Sequence, residues 1–259
     1  MNYGAASGHV HCREGIINRP GKNSDCGKIR IFTMAKDKIL IVDDDVRLLT
    51  RLKNGLMNFG QFDILTAMHG MQALAILRST RAAIMVTDLE MPKMDGVELL
   101  ATVTRDYPNI LCIVTTSLRN HSLRKKFQGD SLFSYINKPF DHIRLHGEII
   151  TMLDCRDEIN FRPGIFITAM LPLINLMQKS CLIEATAGAN KRAIFYFDNG
   201  VISGVRTADM NGSSAMEEVL NWGPAQYRLK PLPESYPSGS NTALTKMMML
   251  GAEIIPKGQ

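Results

Sequence analysis

Long hydrophobic runs are missing from this 259-residue chain. No apolar stretch approaches the roughly 18 residues that a membrane-crossing helix needs. The opening MNYGAASGHVHCREG also lacks the apolar core of a secretory signal. A membrane partner is therefore not expected, and a cytoplasmic location follows by default. Cysteine is sparse and unpatterned: Cys12, Cys26, Cys112, Cys155 and Cys181 are odd in number and none forms Cys-x-x-Cys. That argues against a disulfide framework or a zinc site and reads as reduced thiols or core fillers. A strongly basic body is missing too. Of the net +5, the first 35 residues supply +3, with Arg13, Arg19, Lys22, Lys28 and Arg30 against Glu14 and Asp25. The rest of the chain holds only +2, so a surface built for phosphate backbones is not indicated.

What is present begins at Lys36. Residues 1–35 are rich in Gly, Asn and Ser without periodicity and read as a disordered extension. Met34 stands directly before AKDKILIVDDD, and we expect it to be the true start. From there short apolar runs alternate with helical patterns: KILIVDD, FDILTA, AAIMVTD, NILCIVTTS and LFSYINKP as strands. The helices expected between and after them are VRLLTRLKNGLMNFG, GMQALAILRST, GVELLATVTRDYP, a weakly marked HSLRKKFQGD, and DHIRLHGEIITMLDC. This pattern predicts a doubly wound, five-stranded parallel sheet over residues 36–155. A smaller α+β domain is expected over 160–235, with 236–259 as a tail that could end in a short helix. Its helix FITAMLPLINLMQKS is expected to be interrupted by, or to start at, Pro172. Asp198-Asn199-Gly200 between apolar runs signals a hairpin. SSAMEEVLNW reads as a helix capped by Ser213 or Ser214.

In an open parallel sheet, functional groups gather at the carboxyl ends of the strands. Here those ends carry Asp43, Asp44 and Asp45, then Asp88, then Thr115, Thr116 and Ser117, then Lys138-Pro139. Packed carboxylates raise one another's pKa unless a cation lies among them. Oxygen donors on an open edge suit Mg2+. A lysine and a hydroxyl beside them complete a set fit for a carboxylate that accepts a phosphoryl group. Asp45 reads instead as a helix cap.

ILIVDDD, VTDLEMPKMDG, IVTTS and YINKPF together resemble the signature set of the response-regulator receiver family, flavodoxin-like in fold, across about residues 36–155. The resemblance implies that Asp88 is the phosphoacceptor. It implies that Asp43 and Asp44 are the acid pair, Asp44 the direct Mg2+ ligand and Asp43 an indirect one. Asp88 itself and the backbone carbonyl of Glu90 would complete the protein ligands. Lys138 would bridge to the phosphate, before a cis bond to Pro139, and Tyr135 falls at the aromatic switch position. Thr116, 28 residues after Asp88 and 22 before Lys138, fits the family's switch hydroxyl better than Thr115. A sensor histidine kinase is the implied phosphodonor, and a homodimer through the receiver is a further implied contact.

After residue 156 no cluster with ligand or catalytic spacing occurs, and no convincing helix-turn-helix. His142 and His146, four apart, read as a solvated helix face. The stretch LPLINLMQKSCLIEATAGANKRAIFYFDNGVISGVRTADMNGSSAMEEVLNWGPAQYRL resembles the PATAN domain, although Ser180-Cys181 stands where that family has Gly. That resemblance implies a protein-interaction output, linked in some members to motility or pilus machinery. Phe195, Tyr196, Phe197, Trp222 and Tyr227 read as core and hairpin packing rather than as a partner patch. The expected protein is a phosphorelay switch, not an enzyme. A DNA-binding regulator is the competing reading, and a Mg2+ phosphatase with Glu90 as its acid is the third.

Overall fold

The computed structural model describes residues 36–117, 133–158, 164–237 and 241–251. The N-terminal extension and the weak helix expected at HSLRKKFQGD lie outside the described residues. In chain order the first elements are β1 (Lys38–Val42), α1 (Val46–Met57), β2 (Asp63–Ala67), α2 (Gly70–Ser79) and β3 (Ile84–Asp88). Next come α3 (Gly96–Asp106), β4 (Leu111–Thr116), β5 (Phe133–Asn137) and α4 (His142–Glu158). The five strands pair in parallel in the order β2-β1-β3-β4-β5. This is the doubly wound sheet the sequence predicts.

Side chains alternate across a strand, so each strand feeds two cores. Ile39, Ile41, Ile84, Val86, Ile113 and Ile136 pack with Leu52 and Leu56 of α1 and Leu145 and Ile149 of α4. Leu40, Val42, Met85, Val114 and Tyr135 point the other way, toward Ala73 of α2 and Leu99 and Leu100 of α3. Both faces are covered, which is why these strands are apolar throughout. Asp45 caps α1 as expected, accepting from the Arg47 and Leu48 N–H groups at 2.9 and 3.1 Å.

The chain continues as α5 (Ile167–Leu176), β6 (Cys181–Ala187), β7 (Lys191–Asp198), β8 (Val201–Arg206), α6 (Gly212–Leu220), β9 (Gln226–Lys230) and α7 (Thr242–Gly251). The strands form an antiparallel sheet in the order β8-β7-β6-β9. The hairpin forms where the sequence places it, with Asn199 and Gly200 both left-handed at φ 48° and 76°. A Cβ on Gly200 would meet the Asn175 carbonyl oxygen and the Gln178 Cα, each at 2.8 Å. Before β6 the left-handed residue is Gln178, at φ 48°. Ser180 braces the hairpin instead: its hydroxyl accepts from the Asn199 N–H at 2.8 Å and donates to Asp198 at 3.2 Å.

Two local expectations fail. α6 begins at Gly212 behind Asn211, with no side-chain cap, and Ser213 and Ser214 are exposed. The entry is set instead by the bridge between Asn211 and Arg206 and by positive φ at Gly212. α5 neither starts nor stops at Pro172, which sits inside it. The helix is apolar and buried on most sides, so packing of Met170, Leu171, Leu173 and Ile174 holds it together past the missing N–H. The segment set apart as a tail carries α7, whose Leu244 and Met248 are buried in the same core as Met216 and Val205.

The two sheets meet through α3, which packs against β9. The Lys179 ammonium, just before β6, pairs with Asp95 and also with Glu98 at 2.9 Å.

Candidate functional site

The carboxyl edge of the parallel sheet collects the side chains that the sequence places at its strand ends. Asp43 follows β1, Asp88 ends β3 and Lys138 follows β5. Counting alternately from the core residues of each strand, all three fall on the face toward α1 and α4. The Lys138 Nζ sits 2.6 Å from Asp43 Oδ2 and 2.7 Å from Asp88 Oδ2, so one ammonium bridges two buried carboxylates. The other oxygens are held by backbone. Asp43 Oδ1 accepts from the Asp45 N–H at 2.9 Å, and Asp88 Oδ1 from the Leu89 N–H at 2.8 Å. The Lys138–Pro139 peptide bond is cis.

Burial pushes the Asp88 carboxyl above its ordinary value. The Lys138 ammonium and the Glu90 N–H pull it back in part, while the Asp43 carboxylate adds to the rise. Lys138 has the converse balance: burial opposes its charge, but the hydrogen bonds to Asp43 and Asp88 win and hold it above the usual lysine value. Asp44 differs from its neighbours. It is exposed and accepts no hydrogen bond among the described residues, yet its carboxylate oxygen lies within 4.8 Å of those of Asp43 and Asp88. Three acids with one lysine leave a net charge near −2, and the donors are all oxygen. Such a set fits a hard divalent cation of the Mg2+ type better than a thiophilic one. Among the described residues no other group of three acids, histidines or cysteines could hold a metal.

Close packing fixes Asp88 from below. Gly96 opens α3, and its N–H donates to the Leu89 carbonyl at 3.0 Å. A Cβ on Gly96 would stand 2.0 Å from the Asp88 carbonyl oxygen and 2.8 Å from the Leu89 Cα. Only glycine allows this approach, and the tight Asp95-Gly96 corner is thereby tied to the strand end.

Thr115 and Thr116 part ways in the structure. Thr115 stands opposite Asp88 in the β3–β4 register and falls on its face of the sheet. Thr116 stands opposite Asn137 and falls on the Tyr135 face, and its carbonyl accepts from the Lys138 N–H at 2.9 Å. Tyr135 is buried, and burial pushes its phenol up to about 12. Glu90 is exposed at the rim, and its carbonyl accepts no backbone hydrogen bond among the described residues. His142 and His146 lie elsewhere: His146 stacks on Phe59 at 3.9 Å, and His142 lies against Gly55. The five aromatics of the second sheet are all buried, Tyr196 the least so at 7% exposed. Lys179 was not singled out from sequence. Its partners lie more than 80 positions away in the chain, and no local signal marks it.

A family model described as the response regulator receiver domain matches residues 39–150 and ends before the antiparallel sheet. Sporulation initiation phosphotransferase F of Bacillus subtilis (strain 168) is 31% identical over 108 residues, covering 42% of this chain and 86% of that protein. Transcriptional regulatory protein GlrR of Escherichia coli (strain K12) is 29% identical over 116 residues, 45% of this chain. The match spans only 26% of GlrR's length, and 53% of that of the probable transcriptional regulator ycf27 of Porphyra purpurea. Among solved structures, a CheY-like response regulator receiver domain protein from Methanospirillum hungatei JF-1 is 26% identical. It aligns with a TM-score of 0.42, covering 48% of this chain and 98% of that one. Receiver domains are phosphoacceptor modules of two-component signalling, which implies a histidine kinase or phosphotransfer partner. On the match to phosphotransferase F and to the family model, this chain belongs to the response regulator receiver family.

Proposed function

We propose that the protein is a phosphorylation-gated switch in which Asp88 accepts a phosphoryl group and the C-terminal sheet passes the change to a protein partner. The observation that carries the reading is the Lys138 ammonium bridging Asp43 and Asp88, with the unengaged Asp44 beside them. Asp44, Asp88 and the Glu90 carbonyl would hold Mg2+, with Asp43 acting indirectly; bound there, the cation supplies charge neutralisation for the transferring group.

The chain's own groups do the rest. The kinase's phosphohistidine N–P bond breaks as an Asp88 carboxylate oxygen forms the new O–P bond, and the electron pair returns to the imidazole. Lys138 lies within reach of both carboxylates and can turn an N–H toward the arriving phosphoryl oxygens. The acyl phosphate carries more negative charge than the carboxylate it replaces, so the Lys138 ammonium and a cation held beside Asp44 would have to offset that added charge in the partly buried site. Thr116, at the strand end on the Tyr135 face, would turn its hydroxyl over the sheet edge to the phosphoryl group, and Tyr135 would repack. β5 and α4 would belong to the responding face.

A second route runs through α3. The Asp88 carbonyl abuts Gly96, and the N-cap and first turn of α3 offer Asp95 and Glu98 to Lys179. Movement at the strand end is thus transmitted to the residue that leads into β6. The C-terminal part, on its resemblance to PATAN domains, serves as an interaction module for a protein partner, with motility or pilus machinery the candidate class. We assign the extension to residues 1–35, the receiver to 36–155 and the output module to 160–235.

A labelled small phosphodonor with Mg2+ tests the reading. Wild-type protein should acquire acid-stable, hydroxylamine-labile label, and Asp88→Asn should acquire none. Equal labelling of Asp88→Asn refutes the assignment, and steady turnover of a phosphate ester would favour the phosphatase reading instead.

A further inference from the structure

The antiparallel sheet closes one face and leaves the other open. Ile183, Ala185, Phe195 and Tyr227 are buried with Met170, Met216 and Leu244 of the covering helices. On the other face the register sets Glu184 between Ile194 and Arg228, Ile194 beside Arg206, and Thr186 beside Arg192. Residues two apart on a strand share a face, so Arg192, Arg206 and Arg228 all stand outward on three different strands. One end of this face is covered. Pro237 lies against Gly204, and the Tyr236 hydroxyl donates to Asp198 at 3.1 Å. The other end holds two adjoining hollows of about 370 and 550 Å3, which share Arg192 and Ile194 as walls. Arg105 of α3 lines the first and Arg206 the second. A groove therefore runs from α3 across all four strands at the open end of the second sheet.

Its charges do not cancel. Lys230 takes up Glu184 at 2.6 Å, and Arg105 takes up Asp106 at 2.7 Å. Among the described residues Arg192 and Arg206 form no ion pair, Arg228 stands close enough to Asp106 to help hold its carboxyl down, and Asp209 is the one further acid lining the groove. Arg206 lies over the Tyr196 ring, 5.9 Å from its centre, which holds the guanidinium on the groove wall. Ile194 provides an apolar floor between the arginines.

We propose that this groove binds an acidic polypeptide segment of a partner protein. Guanidinium groups pair side-on with carboxylates through two parallel hydrogen bonds, and exposed arginines facing one trough can take successive acidic residues. Single-stranded nucleic acid fits less well. Its binding depends on exposed aromatic faces for stacking, and the aromatic ring here, Tyr196, is buried and already covered by Arg206. The proposal is independent of the phosphoacceptor assignment, since it is measured on unphosphorylated protein.

Fluorescence anisotropy of the full chain with a fluorescein-labelled oligoglutamate peptide is the test. Arg192→Glu/Arg206→Glu should weaken binding roughly tenfold, because like charges then face each other across the groove. Arg78→Glu/Arg81→Glu makes the same net-charge change at exposed sites on and after α2 and should weaken it by less than about twofold. Thermal melts establish that each variant folds, and Arg192→Gln/Arg206→Gln stands in if charge reversal does not. Failure of the wild-type protein to bind the peptide overturns the proposal. Equal weakening by both pairs, or tighter binding of a labelled oligodeoxythymidylate that the groove pair abolishes, overturns it as well.

Discussion

Replacing Gly96 by Ala separates two opposed effects. Helix propensity favours Ala over Gly by about 1 kcal/mol in a helix interior, and by less at the first position where Gly96 sits. Packing opposes it. The added methyl would stand 2.0 Å from the Asp88 carbonyl oxygen, and its next neighbours are the Leu89 Cα at 2.8 Å and the Asp88 carbonyl carbon at 2.9 Å. All three are backbone atoms, so no flexible side chain can swing away. The strand end and the start of α3 must separate by about 1.4 Å to reach ordinary contact, and overpacking of this kind costs typically about 1–3 kcal/mol. The Gly96 N–H bond to the Leu89 carbonyl, 3.0 Å long, stretches with that separation. Net of propensity we expect a loss of about 2 kcal/mol, which for a unit of this size lowers Tm by roughly 4–8 °C.

The functional consequence follows from position. Asp88 holds its Oδ1 against the Leu89 N–H and its Oδ2 against Lys138. Pushing the Asp88 carbonyl away tilts that carboxylate, so Gly96→Ala should also slow phosphoryl uptake from a small donor at temperatures well below its Tm. Scanning calorimetry and the labelling time course read the two effects separately. A Tm equal to or above that of the wild type would refute the packing argument.

Two further outcomes follow from charged groups. Lys179→Met removes an ammonium that is 19% exposed and shared by Asp95 and Glu98, between the loss typical of surface pairs and that of buried ones. We expect about 2 kcal/mol of destabilisation, seen in urea melts, and faster proteolysis between the sheets; an unchanged midpoint would remove Lys179 as a link. For Asp88, burial raises the folded pKa above its ordinary value of 3.8. The folded state then binds more protons than the unfolded state between 3.8 and the raised value, so stability falls as pH climbs through that window. Asp88→Asn in chelator should therefore melt higher than wild type near neutral pH, with the gap closing on acidification; a lower neutral Tm for the variant would contradict the sign.

Much of the parallel sheet was legible because its strands are apolar on both faces and its polar residues fall at their ends. VDDD, VTD, TTS and NKP mark edges as well as chemistry. The hairpin at Asn199-Gly200 was legible for a similar reason, since positive φ at two successive positions restricts residue choice. The choice between Thr115 and Thr116 was not legible from alternation, because both neighbours in the strand are buried. The register sets Thr115 across from Asp88 and Thr116 across from Asn137, on opposite faces. The start of α6 was misread since Ser213 and Ser214 have cap-like chemistry, while a bridge from Asn211 to Arg206, distant in pattern terms, sets the entry. Pro172 was read as a break by local rules that burial of the surrounding helix overrides. Lys179 and the groove arginines belong to contacts made only once the chain has folded.

The stability cost at Asp88 and the tightness at Gly96 are one arrangement seen from two sides. A carboxylate free to reach solvent would be well solvated as an anion and would gain less from a neighbouring cation. Held on a buried strand end by Gly96 below and a single shared ammonium above, Asp88 is kept ionised in a place where its charge is poorly solvated. A cation beside Asp44 relieves that cost and is then favoured by the fold itself, and it also offsets the further negative charge that a phosphoryl group brings. Because the same strand end leans on α3, and α3 holds Lys179 at its first turn and Arg105 at its last, relief of that cost is felt where the second sheet begins and where its open groove is lined.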